Sequence, residues 1–165
     1  MELIERRFGN HPGFRRAKAS LDQLSSEVED ELRAEKEVIG CYGEHLDRLY
    51  DILNTLTTDQ IRERYAQLKS DLFTTSMAFF SSVSEQLTQF LRRVRARLRG
   101  LPTNMKRHLL NYMRDWWIEK VYPMLQEFID KIDEVAKLLG VDSYSISLNY
   151  AFISIGFTFK PIFKK

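Results

Sequence analysis

The side chains best equipped for binding chemistry in this chain are arginines and lysines gathered in two short stretches. Residues 1–18 and 90–108 hold twelve of them: Arg6, Arg7, Arg15, Arg16, Lys18, Arg92, Arg93, Arg95, Arg97, Arg99, Lys106 and Arg107. Only Glu2 and Glu5 oppose them there. A guanidinium offers paired, charge-assisted hydrogen bonds to a carboxylate or a phosphate. Cations near a helix C-terminus offset its negative end, which accounts for two or three of these residues. It does not account for five arginines within residues 92–99. Arg15, Arg16, Arg92, Arg93, Arg95, Arg97, Arg99, Lys106 and Arg107 are therefore the candidate anion- or partner-binding set. Three partners suit it: an acidic protein surface (a second copy included), an anionic membrane, or nucleic acid. Nucleic acid calls for interleaved aromatics or a reading motif, and neither is present.

Other chemistry finds little support. His11, His45 and His108 fall on different segments, with no metal-ligand spacing among themselves or to Cys41. No Glu-x-x-His pair occurs, as a di-metal site in a helical bundle would need. There is no glycine-rich phosphate loop and no Ser/His/Asp arrangement. The expectation is a non-enzymatic protein with no cofactor, no metal and no small-molecule substrate.

The elements that position the arginines follow from apolar spacing. Leu110, Met113, Trp117, Val121, Met124, Phe128, Ile132, Val135 and Leu139 recur in steps of three and four, repeating every eleven residues. That is one face of an α-helix, and an eleven-residue repeat favours a nearly straight or weakly right-handed one. A second stripe, from Phe14 through Leu21, Leu24, Val28, Leu32, Ile39, Tyr42, Leu46 and Tyr50 to Leu53, predicts a helix from Phe14 to about Leu56, with Glu35 as the one charge in register. A third, from Ile61 and Tyr65 through Leu68, Leu72, Phe79, Val83, Leu87, Phe90 and Val94 to Leu98, predicts a helix to Arg99, with Ser76 filling the missing place. Thr57, Thr58 and Asp59 supply a cap between the first two helices, and Gly100, Leu101, Pro102 and Thr103 a stop and a new cap before the last. Gly140 ends that last helix.

Three helices of this length with short connections fold back antiparallel. The expected fold is mainly α: an elongated three-helix bundle with hendecad-like, coiled-coil-type repeats over residues 14–140. An N-terminal arm, residues 1–13, precedes it, and an extended or β segment, residues 141–165, follows. Folding about the two turns gathers the arginine-rich stretches at one pole of charge +10, leaving −8 elsewhere to give the net +2. It also sets Gly40 and Gly43 near Thr74, Thr75 and Ser76, at the level of Pro123. That alignment is either a tolerated irregularity or a hinge or binding waist. Glu35 falls near Ser81, Ser82 and Lys120, as a polar contact that sets register or as a carboxylate reaching solvent. Of Trp116 and Trp117, one belongs in the core and the other partly outside, a plausible interface anchor.

After Gly140 the period changes. Residues 143–159, SYSISLNYAFISIGFTF, carry no charge. Apolar residues alternate at Tyr144, Ile146, Leu148, Tyr150 and Phe152, then switch phase to Ile153, Ile155, Phe157 and Phe159. Alternation of β-branched and aromatic residues predicts strand, and the switch predicts a bulge or two strands. Lone strands are marginal in water. This segment therefore packs on the bundle, pairs with another chain, or meets a bilayer.

Single Cys41 excludes an internal disulfide. The first fourteen residues contain no apolar core of secretory type, and no uncharged helical run spans a membrane, so a cytoplasmic location is expected. The functional expectation is an interaction or assembly protein that associates through its C-terminal strand and basic pole. A membrane-associated, lipid-binding or pore-forming protein is the first alternative, and a nucleic-acid-associated structural protein the second.

Overall fold

The computed structural model describes residues 1–140, apart from the side chains of Val38 and Ile39. Four α-helices follow in order: α1 (Glu2–Phe8), α2 (Phe14–Thr55), α3 (Thr58–Arg97) and α4 (Thr103–Leu139). The chain is a mainly helical protein with helical-bundle architecture, and no strand occurs among the described residues. The strand expected over residues 141–165, with all nine of its interface positions, lies outside them.

The connections form for local reasons. Thr57 and Gln60 make a reciprocal capping box at the start of α3. The Thr57 Oγ1 accepts from the Gln60 N–H at 3.2 Å, and the Gln60 Oε1 accepts from the Thr57 N–H at 2.9 Å. Two of the donors that a helix start leaves free are thereby satisfied. Past α3, Gly100 takes a φ of +85°, the left-handed conformation that ends helices and that glycine adopts without a Cβ clash. α3 stops at Arg97 rather than Arg99, because Leu98 to Gly100 form this turn.

The stretch expected as an arm contains a helix. Glu2 and Glu5 sit in the first turn of α1, and Arg6 and Arg7 in the last, each sign against the opposite end of the helix dipole. Arg6 pairs with Glu2 one turn away at 3.2 Å. Residues 9–13 then turn the chain into α2, and the Gly13 N–H donates to the His11 Nδ1 at 3.1 Å.

The chain divides into two compact units. The first comprises Met1–Glu35 and Glu85–Tyr122; the second comprises Lys36–Ser84 and, within the described residues, the chain from Pro123 onward. In the first, Phe14, Leu21, Leu24 and Val28 of α2 are buried with Phe90 and Val94 of α3, with Leu98 just past its end, and with Met105, Leu109, Met113 and Trp117 of α4. Contacts pair late α3 with early α2, so these two helices run antiparallel here. Phe90 lies 6.3 Å from Trp117 and 5.9 Å from Trp116. Trp117 is in the core. Trp116 is half-buried, partly outside as expected, and carries the Lys120 ammonium over its ring at 6.0 Å.

In the second unit, Leu46, Leu49 and Leu53 are buried with Leu68, Leu72, Phe79, Phe80 and Val83 and with Leu125, Phe128, Ile132, Val135 and Leu139. Phe79 and Phe128 stack, with ring centroids 3.7 Å apart and planes 16° apart. Ser76 is fully buried, and its hydroxyl donates to the Leu72 carbonyl at 2.7 Å, so the gap in the apolar stripe carries no orphaned polar group.

Several stripe positions shift by one. Leu109 and Leu125 are buried while Leu110 and Met124 are half-buried, and Leu49 is buried while Tyr50 is half-exposed. Tyr65, expected inside, is 37% exposed. A face about 100° wide admits two neighbouring positions per turn, and neighbour packing selects between them. Ile39 lies outside the described side chains.

Candidate anion-binding site

All nine arginines and lysines singled out from the sequence fall in the first unit. Its composition is fifteen lysines and arginines against eleven aspartates and glutamates, a net of +4. The structure separates the nine into two groups.

Arg93 and Arg97 are one helical turn apart on α3 and turn inward. The Arg93 Nη1 donates to both carboxylate oxygens of Glu31, at 3.0 and 2.7 Å, and its Nη2 donates to Glu27 at 3.2 Å. The Arg93 guanidinium is held above its ordinary pKa, first by the hydrogen bond to Glu31. Partial burial opposes this, and the charges of Glu31 and Glu27 add to the upward shift. Arg97 donates to the Ser20 carbonyl at 3.1 Å, to the Ser20 hydroxyl at 3.3 Å and to Glu27 at 3.4 Å. These two arginines join α3 to α2 and are structural. Ser20, Glu27 and Glu31 went unassigned in the sequence reading. The signal for the acids was present, since Glu27 and Glu31 are also one turn apart and match the two arginines across an antiparallel pair.

The other seven face outward or sit at the rim. Arg15, Arg16, Arg92, Arg95, Arg99 and Arg107 are exposed and Lys106 is half-buried. Arg107 donates to the Asn104 Oδ1 at 2.9 Å. Arg15, Arg16, Arg92, Arg95, Arg99 and Lys106 make no ion pair among the described residues. Arg92, Arg95 and Arg99 follow a three-then-four step, a stripe beside that of Arg93 and Arg97. The short helix α1 also lowers the excess charge: Glu2 takes Arg6, and Glu5 lies 3.7 Å from Lys18.

Two further polar expectations resolve here. Glu35 is half-buried and accepts from the Gln86 Nε2 at 3.1 Å. Lys120 instead pairs with Glu29 at 3.2 Å. His108 lies against Phe8, with ring centroids 5.6 Å apart, and its Nε2 is 3.2 Å from an Arg7 nitrogen, which ties α1 to α4.

In the second unit, α2 continues unbroken through Gly40 and Gly43, and Pro123 lies inside α4. Gly43 is buried against Lys131, which is ion-paired to Asp47 at 3.0 Å. Among the described residues, no group of three His, Cys, Asp or Glu side chains is placed to hold a metal ion, and no helix is long and apolar enough to cross a membrane. Comparison of the chain with protein-family models, with curated proteins and with solved structures finds no match.

Proposed function

We propose that this is a non-enzymatic interaction protein, a helical bundle whose first unit presents a basic surface to an anionic partner. The supporting observation is the division among the arginines. Arg93 and Arg97 are consumed in holding α3 to α2, whereas Arg15, Arg16, Arg92, Arg95, Arg99 and Lys106 stay without an ion pair among the described residues. Uncompensated like charges on one surface repel, a cost that a partner of opposite sign relieves. An acidic protein surface, including one on a second copy, is the leading partner in this proposal. The uncharged segment at residues 143–159 is its second contact, pairing as a strand with another chain.

An anionic membrane is the second reading, favoured by α1. Leu3 is 78% exposed there, beside exposed Arg6 and Arg7, and apolar and basic side chains side by side suit a lipid headgroup region. The test is binding of the full chain to an acidic polyglutamate peptide and to phosphatidylserine vesicles, each at low and high salt. Salt-sensitive binding to either supports the proposal, and the better ligand names the partner class. Binding to neither at low salt contradicts it.

A further inference from the structure

A concave groove of about 600 Å³ in the first unit lies between the start of α2 and the turn that follows α3. Its cationic lining is Arg16, Arg97 and Arg99, with His11 beside them, and no carboxylate lines it. The rest of the lining is largely small: Gly13, Ala17, Ser20, Ala96 and Gly100. Three features make this more than part of a charged surface. The small side chains leave the guanidinium groups approachable from within a hollow. Arg97 is held in place by both oxygens of Ser20, so one cation is pre-positioned before any ligand arrives. Arg16 and Arg99 are exposed and make no ion pair among the described residues, so their donors are available.

We propose that this groove binds a compact group carrying two or more phosphates. The proposal rests on the reading that the basic surface meets anions, and it names the ligand chemistry. Arginine matches phosphate oxygens with paired hydrogen bonds, and several arginines around one hollow favour charge concentrated in a small volume. A peptide carboxylate brings one charge, whereas a polyphosphorylated ring brings several. The groove's size suits a small organic ligand. Part of the Arg97 charge is offset by Glu27, so Arg16 and Arg99 supply most of the attraction. The phosphates belong either to a soluble compound or to a lipid headgroup.

The test uses the full chain at near-physiological salt. The probes are inositol hexakisphosphate and vesicles of phosphatidylcholine containing phosphatidylinositol 4,5-bisphosphate. Charge-matched phosphatidylserine vesicles serve as the control. Arg16→Gln with Arg99→Gln removes two groove cations; Arg15→Gln with Arg92→Gln removes two exposed cations outside it. The groove variant is expected to lose about tenfold or more in affinity for the phosphate probes, while the outside variant loses only the few-fold that any two cations of the basic surface contribute. Binding of the soluble probe assigns a soluble ligand, and preference for the phosphoinositide vesicle without soluble binding assigns a lipid. Equal losses in both variants, or no preference over charge-matched vesicles, overturn the groove and leave the basic-surface reading standing. Absence of binding to every anionic probe, at low salt as well, overturns both.

Discussion

Arg93 of α3 sets its Nη1 2.7 Å from the Glu31 carboxylate of α2, while Arg92, its neighbour in sequence, is exposed without an ion pair among the described residues. Adjacent residues on a helix point about 100° apart, so one arginine faces the neighbouring helix and the next faces solvent. Two steps along the helix likewise turn Arg95 away from the face that holds Arg97, and Arg99 lies in the turn beyond. The basic stretch thus has two jobs. One stripe closes a helix pair, and the other keeps its charge for a partner.

The inward arginines should report as stability. Arg93→Ala is expected to lower the unfolding free energy by about 1 kcal/mol, because its ion pairs are more than one-third exposed and screened by solvent. Arg97→Ala should cost about 1–2 kcal/mol, since it also removes hydrogen bonds to both oxygens of Ser20. Arg92→Ala and Arg95→Ala should stay within about 0.5 kcal/mol of wild type. Urea denaturation of the four variants checks the order. On the arginine's side pH is a weak lever: the upward shift at Arg93 means its contribution is present at all ordinary pH and is lost only in strong alkali.

The stacked pair in the second unit should be the most costly place to cut. Phe79 is fully buried against Phe128, with Phe80 and Tyr42 also in ring contact. Phe79→Ala is expected to cost about 3–5 kcal/mol through lost burial and the cavity left behind. Ser76→Ala nearby should be close to neutral, because the Ser76 hydroxyl bonds only within its own helix. Thermal unfolding of both variants makes the comparison.

Two glycines should respond with opposite signs. Gly100 has a φ of +85°, so Gly100→Ala is strained and should destabilise by about 1 kcal/mol. Gly40 lies within α2 with open space where a Cβ would go, so Gly40→Ala should stabilise by about 0.5–1 kcal/mol. Paired urea curves test the signs. A gain at Gly100 would contradict the turn described after α3.

The capping box before α3 gives a further check. Thr57→Ala removes the acceptor for the Gln60 N–H and should cost about 1 kcal/mol, whereas Thr57→Ser should retain most of the stability. Amide hydrogen exchange at the first turn of α3 should rise in the alanine variant and not in the serine one.

These elements differ in how openly the sequence announced them. The three long helices were readable because their apolar residues recur at helical spacing for dozens of residues, and the caps at Thr57 and Gly100 because few residue types can serve there. Helix α1 was not, because seven residues carry too little periodicity to outweigh the glycines and proline that follow. Within the candidate site, spacing did not show which arginines turn inward. That depended on the register between α3 and α2, which sets Glu27 and Glu31 opposite Arg93 and Arg97. Reading all twelve cations as one pole therefore overstated the free charge. The choice between Leu109 and Leu110, or Leu125 and Met124, was likewise beyond spacing alone, since both members of each pair fall on the same wide face.

The central claim is that structure and binding are divided between two stripes of one arginine-rich stretch. The most direct measurement compares two charge-matched single variants, Arg93→Gln and Arg92→Gln, in unfolding and in binding to phosphatidylserine vesicles and polyglutamate. The first should lower stability by about 1 kcal/mol and leave binding within about twofold. The second should leave stability unchanged and weaken binding several-fold, with a shallower salt dependence. Equal effects of the two variants on both readouts would contradict the division.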